Sequence, residues 1–420
     1  MRRALYTASL FLALPWILAR LWWRGAREPG YRAHVAERFG RYAGSGSRDV
    51  LWVHAVSVGE ARAAEPLVRA LQRAHPKARV LLTCMTAAGR QTIAERYGDT
   101  VAAAYLPYDL PGACRGFLEH FRPRLGVLME TEIWPNLLAA CAEAGVPVML
   151  ANARLSDRSA QGYARFGALA RPAFASLAAV GAQGEPAAER LRALGARGVE
   201  VCGNMKFDAE PDAAKLAEGR ALKAALGGRR VLLLASTREG EEAMLLDALA
   251  GAGDAALIAV VPRHPRRFDE AARLLASRGE TFARRSRGEI PRPGQRVFLG
   301  DTLGEMALYC ALADVAVVGG GFAPLGGQNL IEACAAGVPV IAGPHMFNFA
   351  EATQAAVEAG AAVQARNAPQ AAQWAIELLG DAGRRERMAR AGLEFCAAHR
   401  GATARHLALC ERLLRARAPG

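Results

Sequence analysis

Carboxylates, a lysine and glycine-rich loops recur in this chain wherever a β-rich run gives way to a helical one. The first such turn reads His54-Ala55-Val56-Ser57-Val58-Gly59-Glu60. Gly59 lets the backbone approach a ligand. Glu60, at a helix start, can take a proton from an attacking hydroxyl when held within hydrogen-bond reach. Ser57-x-x-Glu60 is equally a capping box, with the glutamate reaching back to a helix-start amide, so these residues alone leave base and cap open. The second turn, Met129-Glu130-Thr131-Glu132-Ile133-Trp134-Pro135-Asn136, carries two carboxylates and a tryptophan. They suit a catalytic site, or they complement the dipole of the helix that follows. Asn152-Ala153-Arg154-Leu155-Ser156-Asp157-Arg158-Ser159 offers two arginines, for phosphates or for solvent. In Gly203-Asn204-Met205-Lys206-Phe207-Asp208, Lys206 is one of four lysines (with Lys77, Lys215 and Lys223) in a chain that otherwise uses arginine. A compact ammonium suits that position, although Lys215 and Lys223, in the polar stretch beyond, have no evident purpose.

The second half repeats the theme with phosphate chemistry. Ala235-Ser236-Thr237-Arg238-Glu239-Gly240-Glu241 follows a strand and opens a helix, so its amides and hydroxyls suit an anion. Val261-Pro262-Arg263-His264-Pro265-Arg266-Arg267 ends another strand with dense positive charge. Gly319-Gly320-Gly321-Phe322 and Gly326-Gly327-Gln328-Asn329-Leu330-Ile331-Glu332 form a glycine-rich loop and a helix start. They allow close backbone approach to a phosphate, with Glu332 placed for ribose hydroxyls. The loop is neither G-x-x-x-x-G-K-[ST] nor G-x-G-x-x-G, which argues against a P-loop NTPase and a dehydrogenase. Gly300-Asp301-Thr302-Leu303-Gly304-Glu305 and Gly337-Val338-Pro339-Val340 flank it.

The elements that must position these turns follow an α/β rhythm. Strands are expected at Val50–Val56, Val80–Cys84, Val101–Tyr105, Leu125–Met129, Val146–Ala151, Ala178–Gln183 and Val199–Cys202. A second series runs Arg230–Leu234, Ala256–Val261, Arg296–Leu299, Val315–Gly319 and Val338–Ala342. Helical stretches such as Ala61–His75 and Pro135–Ala144 lie between them, and the tail from Gln370 reads as helical. The alternation implies βαβ units and two Rossmann-like domains facing a cleft, with ligands at the carboxyl ends of the strands. Their expected extents are 28–207 and 208–420, separated by a polar stretch at 208–228.

The chain has 420 residues, a net charge of +13 and 52% apolar residues, which excludes a disordered chain, a coiled coil and a disulfide-stapled miniprotein. Eight scattered cysteines show no C-x-x-C pair and read as small buried hydrophobes in a reducing compartment. No cluster has zinc spacing. At the N-terminus, Arg2 and Arg3 precede an uncharged run from Ala4 to Ala19, then Arg20, Trp22, Trp23 and Arg24. Sixteen helical residues reach about 24 Å, short of a hydrocarbon core of roughly 30 Å. Residues 1–27 are therefore expected to form an uncleaved membrane anchor, as a short span or an interfacial helix, with the following domain cytoplasmic.

Together these segments resemble the bacterial 3-deoxy-D-manno-octulosonic acid (Kdo) transferases of lipopolysaccharide assembly. The resemblance rests on His54–Glu60, Met129–Asn136, Asn152–Ser159, Gly203–Asp208, Pro262–His264, Gly300–Glu305 and Gly319–Glu332, in family order, and extends from the N-terminus to roughly residue 355. It implies a GT-B fold and transfer of Kdo from CMP-Kdo to the lipid A precursor (lipid IVA) with release of CMP. The enzyme would work at the cytoplasmic face of the inner membrane, among its lipids. By the same resemblance Glu60 is the catalytic base, and Glu130 and Lys206 stabilise the transition state. CMP-Kdo binding maps onto Pro262, Arg263, Leu303, Gly304, Glu305, Asn329, Leu330, Ile331 and Glu332. The family often has Met where Leu303 stands. A base on one side of the anomeric carbon and a positive field from Arg263, Lys206 and helix-start amides on the other make a metal or other cofactor unnecessary in principle. Two other readings compete: a GT-B enzyme using a UDP-sugar, and a membrane-tethered nucleic-acid-binding or scaffold protein. The basic runs Arg263–Arg267, Arg284–Arg287 and Arg384–Arg390 lack the interleaved aromatics of a base-stacking platform, so no nucleic-acid partner is expected.

Overall fold

The computed structural model describes residues 2–44, 46, 49–252 and 256–417. It divides into two compact units: one runs to Ala209 and regains the chain from Arg400 onward, and the other is Glu210–His399. The first unit holds seven parallel strands: β1 (Val50–His54), β2 (Arg79–Cys84), β3 (Ala102–Tyr105), β4 (Pro123–Met129), β5 (Val148–Ala153), β6 (Ala179–Ala182) and β7 (Val199–Val201). Their order is β3-β2-β1-β4-β5-β6-β7. Both faces of this sheet are covered, so its inner strands read as unbroken apolar runs. Side chains alternate between faces. Val50 and Trp52 join one core, while Leu51 and Val53 join the other.

The second unit repeats the plan with β8 (Val231–Thr237), β9 (Leu257–Pro262), β10 (Phe282–Arg284), β11 (Val297–Leu299), β12 (Val315–Val318), β13 (Val340–Ala342) and β14 (Ala362–Gln364). The order is β10-β11-β9-β8-β12-β13-β14, again all parallel. β10 and β14 were not foreseen. Each is a three-residue edge strand with a single fully buried side chain, too short and too polar to show a pattern. In both sheets the direction of winding reverses, between β1 and β4 and between β8 and β12. Such switch points leave a crevice at the carboxyl ends of the strands.

Three local expectations change. The stretch Ala61–His75 is two helices, Val58–Ala63 and Glu65–Ala74, because Pro66 in the first turn of the second cannot donate a backbone hydrogen bond. The final helix, Ala402–Arg417, belongs to the first unit, not to a second domain running to 420. Its Leu409, Cys410 and Leu414 pack with Leu51, Val127 and Met149 of the first sheet. A sequence period shows that a helix has an apolar face but not which sheet receives it. The N-terminal helix is longer than its uncharged run: Arg3–Arg27, 25 residues, or about 37 Å. By length and composition it can cross a membrane. It leaves Leu5, Phe11, Leu12, Trp16, Trp22 and Trp23 exposed, with Arg20 over Trp16 and Arg27 over Trp23. All eight cysteines are buried and unpaired.

Candidate active site

The β1–β4 switch point gathers the charged groups of the first unit. Ser57 caps the helix Val58–Ala63, but its Oγ lies 3.5 Å from the Glu60 amide, a long contact. Glu60 Oε2 instead accepts from the Val56 amide at 2.8 Å, one residue further back than a capping box reaches. Among the described residues Oε1 has no hydrogen-bond partner. Burial raises the carboxyl's pKa to about 8, helped by the negative charges of Glu130 and Glu132, with the Val56 amide and Arg154 pulling the other way. Cap and base are thus compatible: one oxygen holds the helix start and the other makes no hydrogen bond among the described residues.

Glu130 follows β4 in the left-handed region, at φ 57°. A non-glycine residue there costs roughly 1–3 kcal/mol, and such strain clusters at functional sites. Its carboxylate, on a residue 7% exposed, accepts from Arg154 Nε at 2.6 Å and faces Lys206 Nζ at 3.3 Å. Burial is the largest influence and would raise its pKa, but Lys206 and Arg154 together outweigh it and hold the group below its ordinary value. Arg154, with 43% of its side chain exposed, is a counter-ion of Glu130. Glu132 is also pushed up by burial, although Trp134 Nε1 donates to it at 3.0 Å. Neighbouring carboxyls with opposite shifts are the arrangement that separates proton-accepting from charge-holding roles. Glu130 and Lys206, 76 positions apart, are in direct contact, and Glu60 lies within their electrostatic reach.

The second unit uses its switch point differently. The amides expected to meet an anion are already occupied by Glu241, a fully buried residue. Its carboxylate accepts from Gly320 N at 2.5 Å, Phe322 N at 2.9 Å, Ala323 N at 3.2 Å and Arg238 N at 2.9 Å. A Cβ on Gly319 would come within 2.7 Å of the Thr237 Cα and 2.9 Å of Glu241 Oε2, so glycine here admits the carboxylate. By sequence Glu241 is part of a polar helix start. The first Gly320 contact is 79 positions away, and no local signal marks it.

The remaining expected donor-binding residues lie at the ends of β9, β11 and β12. Pro262 is buried, and Arg263 Nε donates to Gln328 Oε1 at 3.1 Å, beside Asn329. Leu330 and Ile331 have buried side chains, so only their backbone can face a ligand. Asn329 Oδ1 accepts from the Ile331 amide at 3.2 Å, and its Nδ2 donates to the exposed Glu332 at 2.9 Å. Leu303 is exposed and Gly304 takes φ 79°. Glu305 is engaged elsewhere: Lys215 Nζ at 2.5 Å, Arg285 Nε at 2.9 Å and Thr302 Oγ1 at 2.5 Å surround it. Arg285 above all pulls its pKa down to about 2. Its carboxylate is part of an internal ion cluster. The same cluster explains Lys215. Lys223 donates to the Leu312 carbonyl at 2.9 Å and pairs with Asp314, so both lysines pin the helix Ala213–Ala225 to the second unit.

Residues 33–209 match the family described as 3-deoxy-D-manno-octulosonic-acid transferase (kdotransferase). The 3-deoxy-D-manno-octulosonic acid transferase of Bordetella pertussis is 47% identical over 97% of this chain and 98% of its own length. The chain belongs to the Kdo transferase family. The Haemophilus influenzae Kdo transferase is 35% identical over the same shares, 97% and 98%. Among solved structures, a glycosyltransferase from Rickettsia africae covers 89% of this chain and 99% of its own at 12% identity, TM-score 0.60. A UDP-GlcNAc 2-epimerase from Neisseria meningitidis covers 86% and 99% at 17% identity, TM-score 0.57. These two likenesses show the GT-B fold alone. The UDP-sugar alternative therefore has only the architecture in its favour, and this Kdo transferase is a glycosyltransferase.

Proposed function

We propose that this Kdo transferase takes Kdo from CMP-Kdo and places it on the lipid A precursor, lipid IVA, with inversion at the anomeric carbon. The observation that carries the reading is the pairing at the β1–β4 switch point: Glu60 with its pKa raised to about 8, beside Glu130 held ionised by Lys206 and Arg154. A carboxylate with raised basicity and one unbonded oxygen suits removal of a proton from an acceptor hydroxyl. As Glu60 takes that proton, the acceptor oxygen bonds to the anomeric carbon. The bond from that carbon to the phosphate oxygen breaks, and CMP leaves with the electron pair. Lys206, aligned by Glu130, supplies positive charge for the negative charge that develops.

The donor's nucleotide is held by Pro262 and Arg263, by Leu303, Gly304 and Glu305, and by Asn329, Leu330, Ile331 and Glu332. Buried side chains and internal ion pairs make much of that contact backbone-mediated. The apolar N-terminal helix anchors the enzyme to the bacterial inner membrane. The excess of arginine draws it to the anionic cytoplasmic face, where a phosphorylated lipid acceptor lies.

The test is one incubation of the purified full chain with CMP-Kdo generated in situ and lipid IVA, with products read by mass spectrometry. The parent protein gives lipid IVA carrying Kdo. Glu60→Ala abolishes transfer while CMP-Kdo still binds by titration calorimetry and UDP does not compete. Transfer by that variant near the parent rate removes the base assignment.

A further inference from the structure

The helix Ala402–Arg417 lies nearly 200 positions beyond Lys206, yet its N-terminal end grips the Lys206 loop at several points. Asp208 accepts from the Gly401 amide at 2.7 Å and the Thr403 amide at 2.5 Å. Arg405 Nε donates to the Cys202 carbonyl at 2.8 Å. Between these contacts sits His406, with no exposed surface. Its Nδ1 lies 2.8 Å from the Ala402 carbonyl, a contact that requires a proton on Nδ1. Burial keeps the ring neutral, with Arg405 acting in the same direction and the Ala402 and Gly181 carbonyls and Asp208 opposing. Nε2 therefore carries a lone pair, and it accepts the Asn152 amide at 2.9 Å. The Gly181 carbonyl, 3.2 Å from the same nitrogen, gains no bond in this tautomer.

Asn152 is the next link. It stands at φ 52°, a left-handed conformation that asparagine tolerates better than most residues. The His406 contact holds its backbone there. From that pose Asn152 Oδ1 accepts the Met205 amide at 2.9 Å, one residue before Lys206, and its carbonyl accepts Gln183 Nε2 at 2.9 Å. Gln183 in turn accepts from Asn204 Nδ2 at 3.2 Å.

We infer that His406 is a positioning residue for Lys206, acting through Asn152, so that the C-terminal helix completes the charge-stabilising part of the active site. The inference rests on the reading of Lys206 and Glu130 given above. The demand on residue 406 is narrow: a neutral acceptor at the place of Nε2. Glutamine reaches that place with an amide oxygen, whereas leucine fills the volume without one.

The experiment compares His406→Leu, His406→Gln, Leu409→Ala and Lys206→Ala in the full chain, measuring kcat, KM for CMP-Kdo and the melting temperature. Leu409 lies on the same helix, buried in the same core, and makes no polar contact to the loop, so Leu409→Ala controls for loss of packing. His406→Leu is expected to lower kcat by about 10- to 100-fold, the scale of a misplaced catalytic group, with KM for CMP-Kdo within about twofold. His406→Gln restores most of kcat, and Leu409→Ala keeps it despite a lower melting temperature. Equal kcat losses in His406→Leu and Leu409→Ala at matched melting temperatures, or no recovery with glutamine, overturn the positioning role while leaving Lys206 in place. Near-parental activity of Lys206→Ala overturns the reading of Lys206 and this inference with it.

Discussion

At the switch point of the first sheet, Glu60 keeps one carboxylate oxygen unbonded and Glu130 gives both of its oxygens to side-chain cations. At the switch point of the second sheet, Glu241 is ringed by four backbone amides. The same residue type at equivalent places in two similar sheets thus does different work. A carboxylate satisfied by amides is fixed in place and shapes a loop. One paired with side-chain cations holds its charge, and one left half-satisfied and desolvated can take a proton. The crevice of an α/β sheet does not dictate chemistry; the partners of its acidic residues do.

The sharpest break of this contrast is Glu60→Gln, which is expected to lower kcat by about 1,000-fold without loss of stability, measured by product formation and thermal unfolding. Lys206→Met follows, with an expected loss of about 100-fold in kcat. It also lets burial raise the Glu130 pKa, so the residual activity acquires a new acidic limb in its pH profile. Glu241→Ala is expected to act on the other side of the comparison. Leaving several buried amides unpaired lowers stability by about 3 kcal/mol and raises KM for CMP-Kdo, readable by denaturant titration and donor saturation. Equal effects of Glu241→Ala and Glu60→Gln on kcat and on stability would erase the distinction between the two switch points.

Titration gives a milder test. With Glu60 near 8, kcat/KM is expected to climb about tenfold per pH unit below that value and to level off above it. Stability moves the opposite way. The folded state holds a proton that the unfolded state has already shed between the ordinary glutamate pKa of 4.5 and about 8, so the contribution of Glu60 falls as pH rises through that window. Glu60→Gln flattens this part of the stability profile. The smallest expected effect is that of Leu303→Ala. This side chain is exposed, and the proposed donor contact there is made by backbone, so kcat/KM stays within about twofold.

Much of the frame was legible in the chain. Buried parallel strands such as Leu51-Trp52-Val53 and Leu232-Leu233-Leu234 announce themselves as apolar runs, and the turns after them carry the acidic residues and glycines. β10 and β14 escaped because three residues at a sheet edge need no apolar pattern. Lys215 and Lys223 gave no sign of purpose because Glu305 and Asp314 lie about 90 positions away. His406 was invisible for the same reason: a lone histidine on an alanine-rich helix names no partner.

The sequence alone determined the two α/β series, the turns at which to search, and the membrane-compatible N-terminus, because burial and turn chemistry act through neighbours along the chain. Tertiary structure alone decided which carboxylate is desolvated with one oxygen unbonded, which is an ion-pair partner and which a loop staple. It also decided that the last helix serves the first unit. Those outcomes depend on desolvation and on charges brought within a few ångströms from distant positions, and neither quantity is written in residue order.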